Sequence, residues 1–214
     1  RRKAVYGLTE LHPEVKNAKL VANPGCYPTG CVLAVAPLVS SGNVESIVFD
    51  CKSGISGAGN TPSERSHFPN LAENILPYEV TTHRHVPEIH QELGRFAKVK
   101  IYFTPHVIPV IRGILTTAHV LLRTKMRGDE IERVYNEFYK GKKFVRLVKT
   151  PSLASVRGSN FCDIGLYTEG NSNRVVALSA IDNLVKGGSG QAIQNMNLMF
   201  KLDETSGLWF TSVP

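Results

Sequence analysis

The octet Asn23-Pro24-Gly25-Cys26-Tyr27-Pro28-Thr29-Gly30 limits the fold more than any other stretch. Residues 19–22 ahead of it read as a short buried strand, and residues 31–39 behind it read as an apolar helix. Pro24 and Gly25 end the strand and permit an unusual backbone path, which sets a cysteine at a tight strand-to-helix turn. The first amides of the helix have no partner inside it and lie beside the Cys26 sulfur. Those amides and the helix dipole favour the thiolate, the form that attacks electrophiles, and the same donors can hold an oxyanion. A free cysteine is more often a small buried hydrophobe, and turn geometry alone leaves that alternative standing.

The remaining pattern predicts an α+β fold. Residues 45–53 are rich in β-formers, and 86–96 have helical apolar spacing with Pro87 in the first turn, where proline is tolerated. Residues 99–110 and 114–122 read as neighbouring strands separated by Ile111-Arg112-Gly113. An amphipathic helix is predicted over 128–139, with Asp129 and Glu130 at the end that favours acids. A short strand over 144–148, longer ones over 161–168 and 174–181, and a final helix over 190–200 complete the series. Consecutive strands with interspersed helices predict a mixed, largely antiparallel sheet with helices packed on it. The polar segment 63–82, broken by Pro69 and Pro77, reads as a long functional or covering loop.

The length suits one substantial domain. The opening Arg1-Arg2-Lys3 has no initiator Met and runs straight into Val5-Tyr6-Gly7-Leu8, as the middle of a larger protein would. No apolar run is long enough to span a membrane and no basic-then-apolar leader opens the sequence, so a soluble, cytoplasmic protein is expected. The four cysteines, Cys26, Cys31, Cys51 and Cys162, show no C-x-x-C pairing and read as free thiols. The formal net charge of +7 suits an anionic ligand. Much of the excess lies over 123–149, interleaved with acids as on a solvated helix face, and no aromatic or helix-turn-helix signature argues for nucleic acid.

Three further motifs carry chemistry. Ser53-Gly54-Ile55-Ser56-Gly57-Ala58-Gly59 is spaced G-x-x-G-x-G and fails the dinucleotide fingerprint, which leaves a flexible turn or a substrate loop offering amides and hydroxyls. In His83-Arg84-His85-Val86-Pro87-Glu88-Ile89 an extended backbone points both histidines the same way, so either can serve Cys26 as a base, with Glu88 orienting the imidazole. Surface histidines are the plain alternative, and a metal site adding Cys26 is weaker, since two histidines and a remote cysteine are a poor zinc signal. Arg112, between two apolar strands, needs an anion, either a ligand or an internal carboxylate.

The octet, the S-G-x-S-G-A-G segment, the H-R-H-x-P-E-I string, P-H-x-x-P-x-x-R-G around Arg112 and D-N-L-x-K-G-x-x-G-Q-A from Asp182 resemble N-acetyl-gamma-glutamyl-phosphate reductases of the semialdehyde dehydrogenase superfamily. Tyr6-Gly7-Leu8-Thr9-Glu10 is similar to the same family's Y-G-L-P-E, with Thr9 replacing proline. The resemblance implies a glyceraldehyde-3-phosphate-dehydrogenase-like C-terminal domain. It implies Cys26 as nucleophile, aided by His83 or His85, and Asn23, Ser53, Ser56, Gly57, Glu88 and Arg112 on the substrate. Asn183, Gly187 and Gly188 would face the nicotinamide of NADP, the rest of which belongs to an N-terminal Rossmann domain mostly absent here. Residues 1–22 then end that domain, 23–183 form the catalytic and dimerisation domain, and 184–214 return toward the nucleotide. A small acyl phosphate is the implied substrate and a homodimer or homotetramer the implied assembly, inactive without the missing part. Sister reductases of aminoadipyl or aspartyl phosphate, a non-catalytic dimerisation module and a Cys/His hydrolase or metal enzyme are the rival readings.

Overall fold

The computed structural model describes residues 3–170 and 172–212, so Arg1 and Arg2 of the opening stretch lie outside it. In chain order it contains β1 (Val5–Tyr6), β2 (Val21–Ala22), α1 (Cys26–Ser40), β3 (Val44–Gly54), α2 (Phe68–Leu71), β4 (Leu76–Pro77) and α3 (Val86–Leu93). Then follow β5 (Lys100–Ile108), β6 (Ile114–Leu122), α4 (Gly128–Phe138), β7 (Val145–Leu147), α5 (Leu153–Val156), β8 (Cys162–Thr168), β9 (Arg174–Ile181) and α6 (Gly190–Met199). Seven strands form one sheet in the order β4-β5-β3-β6-β9-β8-β7, while β1 and β2 form a separate parallel pair. Within the large sheet β3–β5 and β7–β8 are parallel and the other pairs antiparallel, the mixed, largely antiparallel arrangement expected.

The expected adjacency of the two strands around Ile111-Arg112-Gly113 does not occur: β3 runs between β5 and β6. The 109–113 link steps over the end of β3 instead, and its carbonyls accept from the amides that follow that strand. Gly54 N–H donates to Gly113 O at 2.8 Å, Ile55 N–H to Val110 O at 2.9 Å and Ser56 N–H to Ile111 O at 3.1 Å. The link therefore caps the Ser53–Ser56 turn. Two further expectations fail locally. Strand β2 is reduced to Val21–Ala22 and is not buried, with Leu20 beside it 45% exposed. Helix α1 begins at Cys26 itself, five residues earlier than the apolar run suggests, because proline is compatible with a first helical turn and Pro28 falls there.

Helix α1 is apolar on all sides because it is covered on all sides: residues 27–39 are buried between the sheet and helices α3 and α4. Pro37 lies inside it and has no N–H to give the carbonyl of Leu33. The Tyr139 hydroxyl at the end of α4 donates to that carbonyl, and Tyr135 donates to the neighbouring Ala34 O at 2.6 Å. A buried carbonyl without a partner is costly, so these tyrosines fix where α4 lies along α1. The opposite face of the sheet carries the one-turn α5 at one end, where Val156 packs with Ala180 and Leu115. Register aligns Tyr102, Val48, His119, Val176 and Tyr167 in one row across it, with Tyr102 57%, Val48 38% and Tyr167 42% exposed. Among the described residues no helix is long and apolar enough to cross a membrane.

Candidate active site

Cys26 is the first residue of α1, with extended Gly25 as its N-cap. Pro28, third in the helix, brings no N–H, and the Gly25 N–H is already donated to Glu88 Oε1 at 2.8 Å. The amides of Cys26 and Tyr27 remain, and both favour the Cys26 thiolate. Burial works against them and prevails, so the Cys26 thiol sits above its ordinary value. The Arg84 charge pulls it down and the Glu88 charge pushes it further up. The thiolate expected from the turn alone is thus not the resting form, because desolvation outweighs two amides.

Backbone contacts crowd the cysteine on two sides. A Cβ on Gly25 would stand 2.5 Å from His85 Nε2, and a Cβ on Gly187 would stand 2.8 Å from Cys26 Cβ. Both positions admit only glycine without movement. His85 therefore presents Nε2 to the turn that carries Cys26, while its buried Nδ1 has no partner. His83 is committed elsewhere: its Nδ1 accepts the His85 N–H at 3.1 Å, and its Nε2 faces Glu79 at 3.8 Å. The two rings stand 4.9 Å apart, although residues 80–82 and 84–85 form turns rather than the extended backbone considered for the histidine pair. Burial, the neighbouring His83 and the Arg84 charge lower His85 to about 4, so it rests as neutral imidazole; burial lowers His83 as well.

Glu88 does not orient either imidazole. Its Oε1 accepts the Gly25 N–H and also the Tyr6 hydroxyl at 2.7 Å, anchoring the cysteine turn to β1. Beyond Cys26 opens a cavity of about 410 Å³, lined by Ser53, Gly57, His83 and His85 and by residues the sequence reading passed over: Tyr27, Arg65, Tyr78, Glu79 and Arg84. The Tyr78 hydroxyl donates to Tyr27 Oη at 2.9 Å. Segment 64–79 supplies one wall, in keeping with a covering loop.

The remaining expected site residues buttress this cavity. Asn183, 3% exposed, accepts the Gly113 N–H through Oδ1 at 2.7 Å and donates through Nδ2 to Ser56 Oγ at 3.0 Å. Asn23 donates to Gly188 O at 3.1 Å and accepts from Asn195 Nδ2 at 2.9 Å, outside the cavity. Arg112 also stands outside the lining, with its guanidinium 3.9 Å from Asp182 Oδ2, the internal carboxylate of the two partners considered for it. Lys186, fully buried, donates to Glu10 Oε1 at 2.6 Å and Gln194 Oε1 at 2.8 Å and so pins the turn that presses Gly187 on Cys26. Tyr6 and Glu10 carry no local signal of these roles; only their long-range partners reveal them. Among the described residues no three His, Cys, Asp or Glu side chains group as a metal site.

Residues 26–183 match the family model described as semialdehyde dehydrogenase, dimerisation domain. The chain is 63% identical to the N-acetyl-gamma-glutamyl-phosphate reductase of Methanothrix thermoacetophila, over 98% of this chain and 63% of that protein. It is 60% identical to the protein of the same name from Archaeoglobus fulgidus, over 96% of this chain and 62% of that one. It thus spans a little under two thirds of the length of these curated relatives. Among solved structures, aspartate semialdehyde dehydrogenase II of Vibrio cholerae, complexed with ASA, superposes with a TM-score of 0.71 at 16% identity, covering 92% of this chain and 68% of that one. Aspartate semialdehyde dehydrogenase of Francisella tularensis gives 0.71 at 16% identity, covering 92% and 71%. At that identity the likeness is one of fold.

Proposed function

From the premise that this chain belongs to the semialdehyde dehydrogenase family, whose dimerisation domain it contains, we propose that it is the catalytic portion of an NADP-dependent reductase of N-acetyl-gamma-glutamyl phosphate. The observation that carries the reading is Cys26 at the first turn of α1, with His85 Nε2 packed on its N-cap and a cavity opening beyond it. In the first step the Cys26 sulfur bonds to the γ-carbonyl carbon, the bond from that carbon to the phosphate oxygen breaks, and phosphate departs with the electron pair. His85, neutral at rest, takes the thiol proton. The amides of Cys26 and Tyr27 are the donors placed for the oxyanion, since Gly25 is engaged by Glu88 and Pro28 has none.

NADPH, when bound, supplies the hydride that takes the resulting thioester to the semialdehyde. His85 then returns its proton as the carbon–sulfur bond breaks and Cys26 is released. Of the glycines assigned to the reacting end of that cofactor, Gly187 is buried against Cys26, and Gly188, next in the chain, is half-buried and lies near the Asn183 carbonyl. Asn183 supports them indirectly, its amide being engaged within the protein. The row Tyr102, Val48, His119, Val176 and Tyr167 is the face we assign to pairing with a second copy in a homodimer.

The test is intact mass after mixing the whole protein with N-acetyl-gamma-glutamyl phosphate and quenching in acid, with Cys26→Ala alongside. An acyl adduct that vanishes in Cys26→Ala is expected. No adduct, or one that persists in the variant, refutes the nucleophile; adducts only from aspartyl or aminoadipyl phosphate refute the substrate.

A further inference from the structure

Away from α5, the row across the uncovered sheet face is built of valines and tyrosines except at its centre, where His119 stands opposite Val48 on β3 and Val176 on β9. The residue is half-buried already, and its buried Nδ1 has no hydrogen-bond partner among the described residues. The charged groups around it are engaged with one another. On β3, Asp50 stands opposite Thr117, one step along the face; Lys52 bonds it, and His106 of β5 brings Nδ1 to 3.2 Å from it. On β9, Arg174 stands opposite Leu121, one step the other way, and pairs with Glu169. The neighbours of His119 along its own strand on this face are the uncharged Thr117 and Leu121. The two histidines of the face therefore differ. His106 has a carboxylate beside it, whereas none reaches ion-pair distance of His119 among the described residues.

We propose that His119 makes pairing of this face with a second copy pH-dependent: the homodimer forms around a neutral imidazole and comes apart as His119 takes up a proton. The inference rests on the homodimer assignment above, and the row lies within residues 26–183, which match a dimerisation domain. In a two-fold dimer the same patch meets itself, so the second copy offers His119 only what this face holds. Asp50 and Glu169 are the acids flanking the row, and each already has a cation on it. Among valines and tyrosines with water excluded, a neutral imidazole is tolerated, whereas an imidazolium without a counter-charge is strongly disfavoured. Each protomer must therefore shed one proton to associate. The separated protomers bind more protons than the dimer, so acid favours separation and the dimer is tightest where His119 is neutral.

Fluorescence-detected sedimentation of the whole protein, from nanomolar to micromolar at constant ionic strength, gives the dimer dissociation constant at pH 7.5 and pH 5.5. In the wild type the constant should rise about tenfold or more at the lower pH, because two imidazoles are protonated for each dimer lost. His119→Gln keeps a polar side chain without the titration, and His119→Leu removes both; in each the constant should change by less than about threefold. His106→Gln removes the histidine that has a carboxylate beside it and should keep the wild-type rise. Unchanged circular dichroism spectra verify that the variants are folded. A wild-type dimer equally tight at both pH values overturns the inference and leaves the pairing face standing. So does a rise that persists in both His119 variants, or one that His106→Gln abolishes. A wild-type protein that is monomeric at pH 7.5 refutes the pairing face itself, and the inference with it.

Discussion

Replacing Lys186 by Met tests whether a buried charge pair holds the cysteine turn in place. Lys186 is fully buried, and its ammonium bonds Glu10 Oε1 at 2.6 Å and Gln194 Oε1 at 2.8 Å. Burial alone would push the Glu10 carboxyl up, but the Lys186 charge and its hydrogen bond reverse this and hold it below its ordinary value. Glu10 in the wild type therefore contributes stability above its unfolded pKa that is lost as pH falls through its folded one. Without Lys186 the burial effect stands alone and the sign inverts. Glu10 keeps only weak partners, Gln194 Nε2 at 3.1 Å and Thr9 Oγ1 at 3.4 Å, and its folded pKa rises above the unfolded one. Below the unfolded pKa both states are protonated and the cost is small; as pH rises it grows, reaching about 3–5 kcal/mol once the folded carboxylate must ionise. For a chain of this size that is roughly 6–20 °C in Tm. Urea unfolding of wild type, Lys186→Met and Lys186→Met with Glu10→Gln, measured from pH 4.5 to 8, reads it out. The double variant should recover most of the loss at pH 8 and little at pH 4.5. A cost for Lys186→Met that is the same at both ends, or below about 1 kcal/mol at pH 8, would refute the reasoning.

Two further outcomes follow from single contacts. Glu88→Gln keeps an acceptor for the Gly25 N–H and the Tyr6 hydroxyl but removes a charge that, after burial, raises the Cys26 thiol, so the midpoint of Cys26 alkylation against pH should move down; an upward move contradicts it. Tyr102→Glu places a charge at the β5 end of the uncovered row, beside Val48, and should shift sedimentation toward the monomer mass, while a wild-type protein that is monomeric at every concentration removes that face from assembly.

What the sequence made legible was local. Strand and helix periodicity located β3, β6, β9 and α4 within a residue or two, and the octet placed a cysteine at a helix start. Strand order was not legible, because periodicity reports which face a strand buries and not its neighbour; β3 between β5 and β6 is decided by the long link over its end. The two histidines were equivalent in the string His83-Arg84-His85, and the turn that replaces an extended backbone distinguishes them by giving His83 the His85 amide. Arg84 was in view between them, but an exposed arginine in a polar loop carries no signal until a cavity forms beside it.

Tyr6 and Glu10 show why the cysteine turn cannot be understood from its own octet. Both side chains come from one short stretch at and after β1 and reach opposite sides of Cys26. Tyr6 meets Glu88, which holds Gly25; Glu10 meets Lys186, which holds the turn of Gly187. Gly25 and Gly187 are the two positions where a methyl group would strike His85 or Cys26, so each anchor guards one of the two close approaches that define the site. Both anchors of the cysteine turn thus lie before residue 22, within the segment 1–22 assigned above to the preceding domain. Tightly packed positions of this kind tolerate little displacement, because an added or misplaced methylene in a filled interior costs about 1–3 kcal/mol and moves its neighbours. The reactive geometry of Cys26 is set by residues 6–10 as much as by residues 23–30, which follows from four hydrogen bonds and from no feature of either stretch alone.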